Sequence, residues 1–124
     1  MIYLDIEDLV RIAERATGGP VKVRDLGLLG SAAHRPQQVA FGFEPYPTVA
    51  EKAAALCCSL AKNHALIDGN KRLALAGTWT FGFINAGRLP AMTNDEAYEL
   101  IIGVATSRLD VPEVAAALRA AGID

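Results

Sequence analysis

Cysteine and histidine are both scarce in this chain of 124 residues, which has two of each. The cysteines, Cys57 and Cys58, are sequence neighbours whose side chains diverge on a helix, so an ordinary disulfide between them would be strained. Both are expected to be reduced core thiols. Two histidines without plausible cysteine spacing also leave no pattern for a zinc site. An excess of basic charge is missing too: 12 Lys and Arg stand against 14 Asp and Glu, a formal charge of −2. An acidic chain repels a polyanion at long range, so direct nucleic-acid binding is not expected. A local cationic site remains compatible with that balance.

No apolar run is long enough for a bilayer. The longest, Leu73 to Ala86, is interrupted by Thr78, Thr80 and Asn85, whereas a helical span needs about 20 residues. The opening Met1-Ile2-Tyr3-Leu4-Asp5-Ile6-Glu7-Asp8 carries acids where a secretory signal places cations and then an apolar stretch. The expected setting is the cytoplasm, with no membrane partner. Repeats, linkers and low-complexity tracts are absent as well. What is present is a 52% hydrophobic composition, which excludes disorder. At this length one domain over residues 1–124 is expected, burying about two-thirds of its unfolded surface.

The apolar periodicity is helical almost throughout. Ile6, Leu9, Val10 and Ala13 share one face of a first helix, with Asp5 as cap and Gly18-Gly19-Pro20 as stop. Asp25 caps a short helix over Leu26 to His34. Pro45 and Pro47 break the pattern between Gln37 and Pro47, predicting a loop or short extended flap. Thr48-Val49-Ala50-Glu51 reads as a capping box, opening a helix with Val49, Ala53, Leu56, Leu60 and His64 near one face. A polar segment, Asn63 to Asn70, follows.

The next helix, about Lys71 to Asn85, is apolar on nearly all sides and reads as the central one. Gly77 and Gly82 weaken it by roughly 1 kcal/mol each, so close neighbours are expected there. Gly87 suits the left-handed residue after its end. Thr93-Asn94-Asp95-Glu96 is a second capping box, continued by Tyr98, Ile101, Ile102 and Ala105. Asp110-Val111-Pro112-Glu113 starts a last helix with Val111, Val114, Ala115 and Leu118 as its stripe. The expected fold class is all-α, a compact bundle of about six helices around a buried central helix.

Chemistry concentrates in Asn63-His64-Ala65-Leu66-Ile67-Asp68-Gly69-Asn70-Lys71-Arg72. His64 offers a base near neutral pH, and Asp68 is a hard oxygen ligand suited to Mg²⁺. Gly69-Asn70 can turn successive amides outward at the start of the next helix. Lys71 and Arg72 oppose that helix's dipole, which already presents about half a positive charge there. A bound anion resolves the conflict, and phosphate with Mg²⁺ is the natural candidate. Residue types alone also support a bland reading, with a packing histidine, an ordinary turn and two solvated cations.

The segment His64-x-x-x-Asp68-Gly69-Asn70-Lys71-Arg72 resembles the signature of the Fic/Doc family, and more closely its Doc (death-on-curing) toxin branch. Further Doc-like stretches are Ile2-Tyr3-Leu4, Arg24 to Leu29, Ser31 to Gln37 and Tyr46 to Ala55. The resemblance implies that His64 activates a target hydroxyl and that Asp68 holds Mg²⁺ on ATP phosphates. Gly69 and Asn70 would form the anion-binding turn, and Lys71 and Arg72 would bind phosphates. Adenylylating Fic enzymes usually carry glycine where this chain has Lys71. The Doc branch is associated with a reversed nucleotide and γ-phosphate transfer.

By resemblance, the implied function is that of a toxin in a toxin–antitoxin module. It would act as a kinase on a Ser or Thr hydroxyl of a translation factor similar to elongation factor Tu, and so arrest translation. The implied partner is a Phd-type antitoxin. The alternatives are Fic-type nucleotidyl transfer and a catalytically weakened binding protein. Ala65 and Leu66 depart from the usual proline and phenylalanine, and Leu73 stands where threonine is frequent. Outside the motif, Phe41, Phe43 and Tyr46 form a flap or antitoxin groove, or else pack in the core. Trp79, Phe81 and Phe83 are expected in the core, and Arg35 in solvent.

Overall fold

Short polar side chains decide where most of the helices begin. The computed structural model describes residues 1–124. It holds six helices: α1 (Ile6–Thr17), α2 (Leu26–His34), α3 (Val49–Lys62), α4 (Asn70–Ala86), α5 (Asn94–Ala105) and α6 (Val111–Ala120). A 3-10 turn over Arg35–Gln37 follows α2, and the only β pairing consists of two isolated bridges, Val23 with Leu66 and Ala40 with Phe43. The expected all-α class therefore holds. No helix is long and apolar enough to cross a membrane.

Asp5, Asp25, Thr48, Thr93 and Asp110 each accept a backbone N–H at the start of a helix. A cap of this kind contributes about 1 kcal/mol. The boxes at Thr93–Glu96 and Asp110–Glu113 are reciprocal. At Thr48 the expected box is only half made. Glu51 N donates to Thr48 Oγ1, but the Glu51 carboxylate accepts from the Thr48 hydroxyl at 2.8 Å and from Arg119 at 3.2 Å. That carboxylate ties α3 to α6 in place of an amide.

The central helix is α3, not α4. Eleven of its fourteen residues are buried, against six of seventeen in α4. It packs against α2, α4, α5 and α6. The reason lies in side-chain size: Ala50, Ala53, Ala54, Ala55, Cys57, Cys58 and Ala61 let neighbours close on every side, while Leu56 and Leu60 fill the gaps. Each buried leucine contributes roughly 1.5–3 kcal/mol. At Gly77 of α4 an added Cβ would lie 3.1 Å from Leu60 Cδ1, so the glycine permits the α3–α4 approach. Gly82 has no such role, since its nearest atom, Ile123 Cδ1, would be an ordinary 3.9 Å away.

Three further expectations shift. Phe81 is core, but Phe83 is exposed and Trp79 is only partly buried. The buried stripe of α5 is Ala97, Leu100, Ile101 and Val104, which leaves Tyr98 in solvent. That stripe keeps helical spacing but is rotated by about one residue from the expected one. Arg35 is half-buried rather than free in solvent: it donates to Tyr46 Oη at 3.2 Å and Ser59 Oγ at 3.1 Å, with its guanidinium 5.4 Å from the Tyr46 ring centre.

The stretch between α2 and α3 is a small hairpin. Ala40 and Phe43 exchange two backbone hydrogen bonds of 2.9 and 2.8 Å, with Phe41 and Gly42 both left-handed between them. Phe41 stands fully in solvent and Phe43 is two-thirds exposed, which removes the core reading for those two. The hairpin is moored by Lys52, whose buried ammonium donates to Glu44 Oε1 at 2.6 Å and Pro36 O at 3.0 Å and lies 5.6 Å from the Tyr3 ring centre. Burial alone lowers the pKa of this ammonium. Hydrogen bonding to Glu44 and Tyr3 outweighs it, so the net shift is upward and Lys52 stays charged.

Candidate active site

The link from α3 to α4 spans Asn63 to Gly69, and its backbone departs from regular structure at both ends. Asn63 caps α3, so His64 lies beyond the helix rather than closing it. His64 has φ of +51°, the left-handed region, and its side chain is exposed. The next two residues turn inward: Ala65 and Leu66 are buried. Leucine thus serves as an apolar plug where the resembled family usually carries phenylalanine.

Leu66 is fixed from two directions. Its flanking backbone pairs with the extended segment before α2, Ile67 N donating to Lys22 O at 3.0 Å across the Val23–Leu66 bridge. Asn70 grips it from the other side: Leu66 N donates to Asn70 Oδ1, and Asn70 Nδ2 donates to Leu66 O, both at 3.0 Å. The Asn70 side chain is thereby committed to holding the loop. The backbone N–H of Asn70, at the uncapped start of α4, stays open to an anion.

Gly69 makes the second departure, with φ of +93°. A Cβ there would sit 2.9 Å from Thr17 Cγ2 at the end of α1. Position 69 thus excludes a side chain on both conformational and steric grounds. The consequence is a bare helix start: α4 is the one helix of six without a side-chain cap. Its first helical bond is Leu73 N to Gly69 O, which leaves the amides of Asn70, Lys71 and Arg72 without protein acceptors. Such a bare start is a ready-made anion site.

The expected residues converge. His64, Asp68, Gly69, Asn70, Lys71 and Arg72 all line one cavity of about 660 Å³, whose wall also includes Thr17, Pro20, Val21 and Ile67. That volume is within the range typical of small-molecule sites. Lys71 and Arg72 are exposed at the cavity, and Lys22 adds a third cation. Sequence reasoning missed Thr17 and Lys22 because nothing in local spacing ties the end of α1 to a loop fifty residues later.

The donor set fits Mg²⁺ carried on a polyphosphate. Asp68 Oδ1 accepts from Gly69 N at 2.9 Å, leaving its other oxygen available. No group of three His, Cys, Asp or Glu side chains gathers as a complete metal cage. Mg²⁺ commonly takes one or two carboxylates, several waters and substrate phosphates, so one free carboxylate beside cations and open amides suits it. The two thiols play no part here: burial pushes Cys57 up to about 12 and Cys58 up to about 11, and both are free and protonated.

The family model described as Fic/DOC matches residues 3–81, which includes α1 through the first part of α4 and the whole connecting loop. The protein named Toxin Doc from Mycolicibacterium smegmatis is 50% identical over 117 residues, covering 94% of this chain and 90% of that relative.

Proposed function

The chain belongs to the Fic/DOC family, and from that premise we propose that it is the toxin of a toxin–antitoxin module and acts as a protein kinase. It transfers the γ-phosphate of ATP to a Ser or Thr hydroxyl of a translation factor similar to elongation factor Tu. A Phd-type antitoxin neutralises it. The observation that carries the kinase reading is Lys71, a bulky cation in the first turn of the uncapped α4, where adenylylating members of the family usually carry glycine. A side chain at that point narrows the anion turn and favours a nucleotide presented γ-phosphate first.

His64 accepts the proton of the target hydroxyl as its oxygen bonds to the γ-phosphorus. The bond from that phosphorus to the β-phosphate oxygen breaks, and ADP leaves. Lys71, Arg72 and the open amides of α4 hold the phosphate oxygens in line, so that the protein supplies positioning and charge rather than covalent chemistry. Asp68 would hold Mg²⁺, which when bound offsets negative charge on the phosphates. The exposed position of His64 suits a protein substrate, since a folded target must bring its hydroxyl to the base.

The test is a translation extract incubated with the protein and ATP labelled at either the γ or the α phosphate. Target labelling from the γ position alone is expected. Labelling from the α position alone overturns the kinase reading in favour of nucleotidyl transfer. No labelling from either position, with growth inhibition that persists in His64→Ala, supports a toxin that works by binding.

A further inference from the structure

We infer that Arg24 is a positioning residue for His64, and that its guanidinium sets the backbone torsions from which the imidazole reaches the target. The inference rests on the reading of His64 as the base. Arg24 lies on the extended segment before α2, forty residues from the loop it serves. Its Nε donates to His64 O at 2.7 Å and its Nη2 to Asn63 O at 3.3 Å. Its own backbone N–H donates to Ala65 O at 2.7 Å, a carbonyl that also accepts from Asp25 N at 3.0 Å. One residue therefore takes three consecutive carbonyls, those of Asn63, His64 and Ala65.

The geometry explains why this matters. The φ of His64 is the angle between the peptide plane carrying Asn63 O and the His64 side-chain branch. Its ψ sets the plane carrying His64 O. A rigid planar donor that grips both oxygens holds both torsions at once. His64 needs such a grip because its φ of +51° is a sparsely populated region for a residue with a side chain. The guanidinium is also well placed electrostatically, sitting on carbonyls at the C-terminal end of α3, where a helix carries partial negative charge. Arg24 is exposed, so its removal opens no cavity in the core. A single-point donor such as lysine can satisfy one of the two side-chain contacts but cannot reproduce the fork.

The experiment uses the full chain with Arg24→Ala and Arg24→Lys. Transfer kinetics are measured alongside the backbone NMR shifts of His64 and Ala65 and the unfolding midpoint. In Arg24→Ala, kcat is expected to fall on the order of a hundredfold, the scale of a small misplacement of a reacting group. KM for ATP stays unchanged, the His64 and Ala65 shifts move, and those of α5 and α6 do not. Arg24→Lys recovers part of kcat and part of the shift change. Unmoved His64 shifts overturn the inference, whatever happens to the rate. A loss confined to KM for ATP also overturns it and makes Arg24 a phosphate ligand. Should the wild-type chain transfer no phosphate, the kinase reading fails separately, and the shifts alone decide the role of Arg24.

Discussion

Helix α3 and the loop that leaves it are adjacent in sequence and opposite in character. In α3, local preference and burial agree: a threonine cap opens it, small residues cover it, and eleven of fourteen positions are buried. In the loop almost every local preference is violated. His64 takes a left-handed backbone conformation, α4 starts with no cap, and Lys71 and Arg72 sit exposed at the positive end of its dipole. The violations are held in place from outside by Lys22, Arg24 and Asp25, whose backbone or side chain hydrogen-bonds the loop, while Thr17 lies where a side chain on Gly69 would go. Stability resides where the rules agree, and the proposed chemistry where a rigid surround enforces their breach.

The largest expected effects cross cleanly between the two regions. His64→Ala should lower transfer on the order of a thousandfold, within the span typical of a lost general base. Its denaturation midpoint should stay close to that of the parent, since the side chain is exposed. Leu56→Ala in α3 should do the reverse. It should reduce unfolding free energy by about 2–5 kcal/mol, the usual cost of a leucine cavity, while transfer per folded molecule is unchanged. Activity assays paired with chemical denaturation check both. A His64→Ala protein that unfolds easily, or a Leu56→Ala protein whose folded fraction is inactive, would dissolve the division between scaffold and loop.

Gly69 sits on the seam between them and should show an intermediate effect. Gly69→Ala forces a side chain into a φ of +93° and places Cβ 2.9 Å from Thr17 Cγ2, so a loss of about 1–3 kcal/mol is expected, together with weaker ATP binding. Thr17→Ser removes that methyl but keeps a hydroxyl for Ala13 O and Gly19 O, which Thr17 reaches at 2.9 and 3.3 Å. In the double variant the steric part should be recovered and the torsional part should remain. Calorimetry of the four proteins with ATP separates them, and strict additivity would show that the α1 end does not press on the turn.

The same division governs how much was legible in the sequence. Helix starts were plain because Asp5, Asp25, Thr93 and Asp110 carry their signal within four residues, and the motif from His64 to Arg72 was plain because its members are close in sequence. The central helix was misjudged: apolar content favoured α4, whereas small side chains, which let neighbours pack on every side, give α3 that place. The supporting shell was invisible. Arg24 reads only as a residue before a cap, and its grip on Asn63 and His64 depends on a chain reversal that periodicity does not encode. The sequence places Asn70 at the anion turn, but its side chain is spent on Leu66, a contact that spacing alone does not reveal.

The smallest effect concerns the two buried thiols of α3, Cys57 and Cys58. Burial holds Cys57 near 12 and Cys58 near 11, against a reference of 9.0. For Cys58 the Asp110 charge adds to the same direction. A thiol whose folded pKa is raised contributes fully while both states are protonated, that is, below 9. As pH climbs past 9 the unfolded chain releases the proton and the folded chain does not, so the contribution drains away until the folded pKa is reached. At pH 10 the loss is about 1 kcal/mol per thiol. Denaturation midpoints should therefore be level in this respect from pH 7 to 9 and decline above it, with a shallower decline in Cys57→Ala. An equal decline in that variant would mean the thiol already ionises in the folded chain.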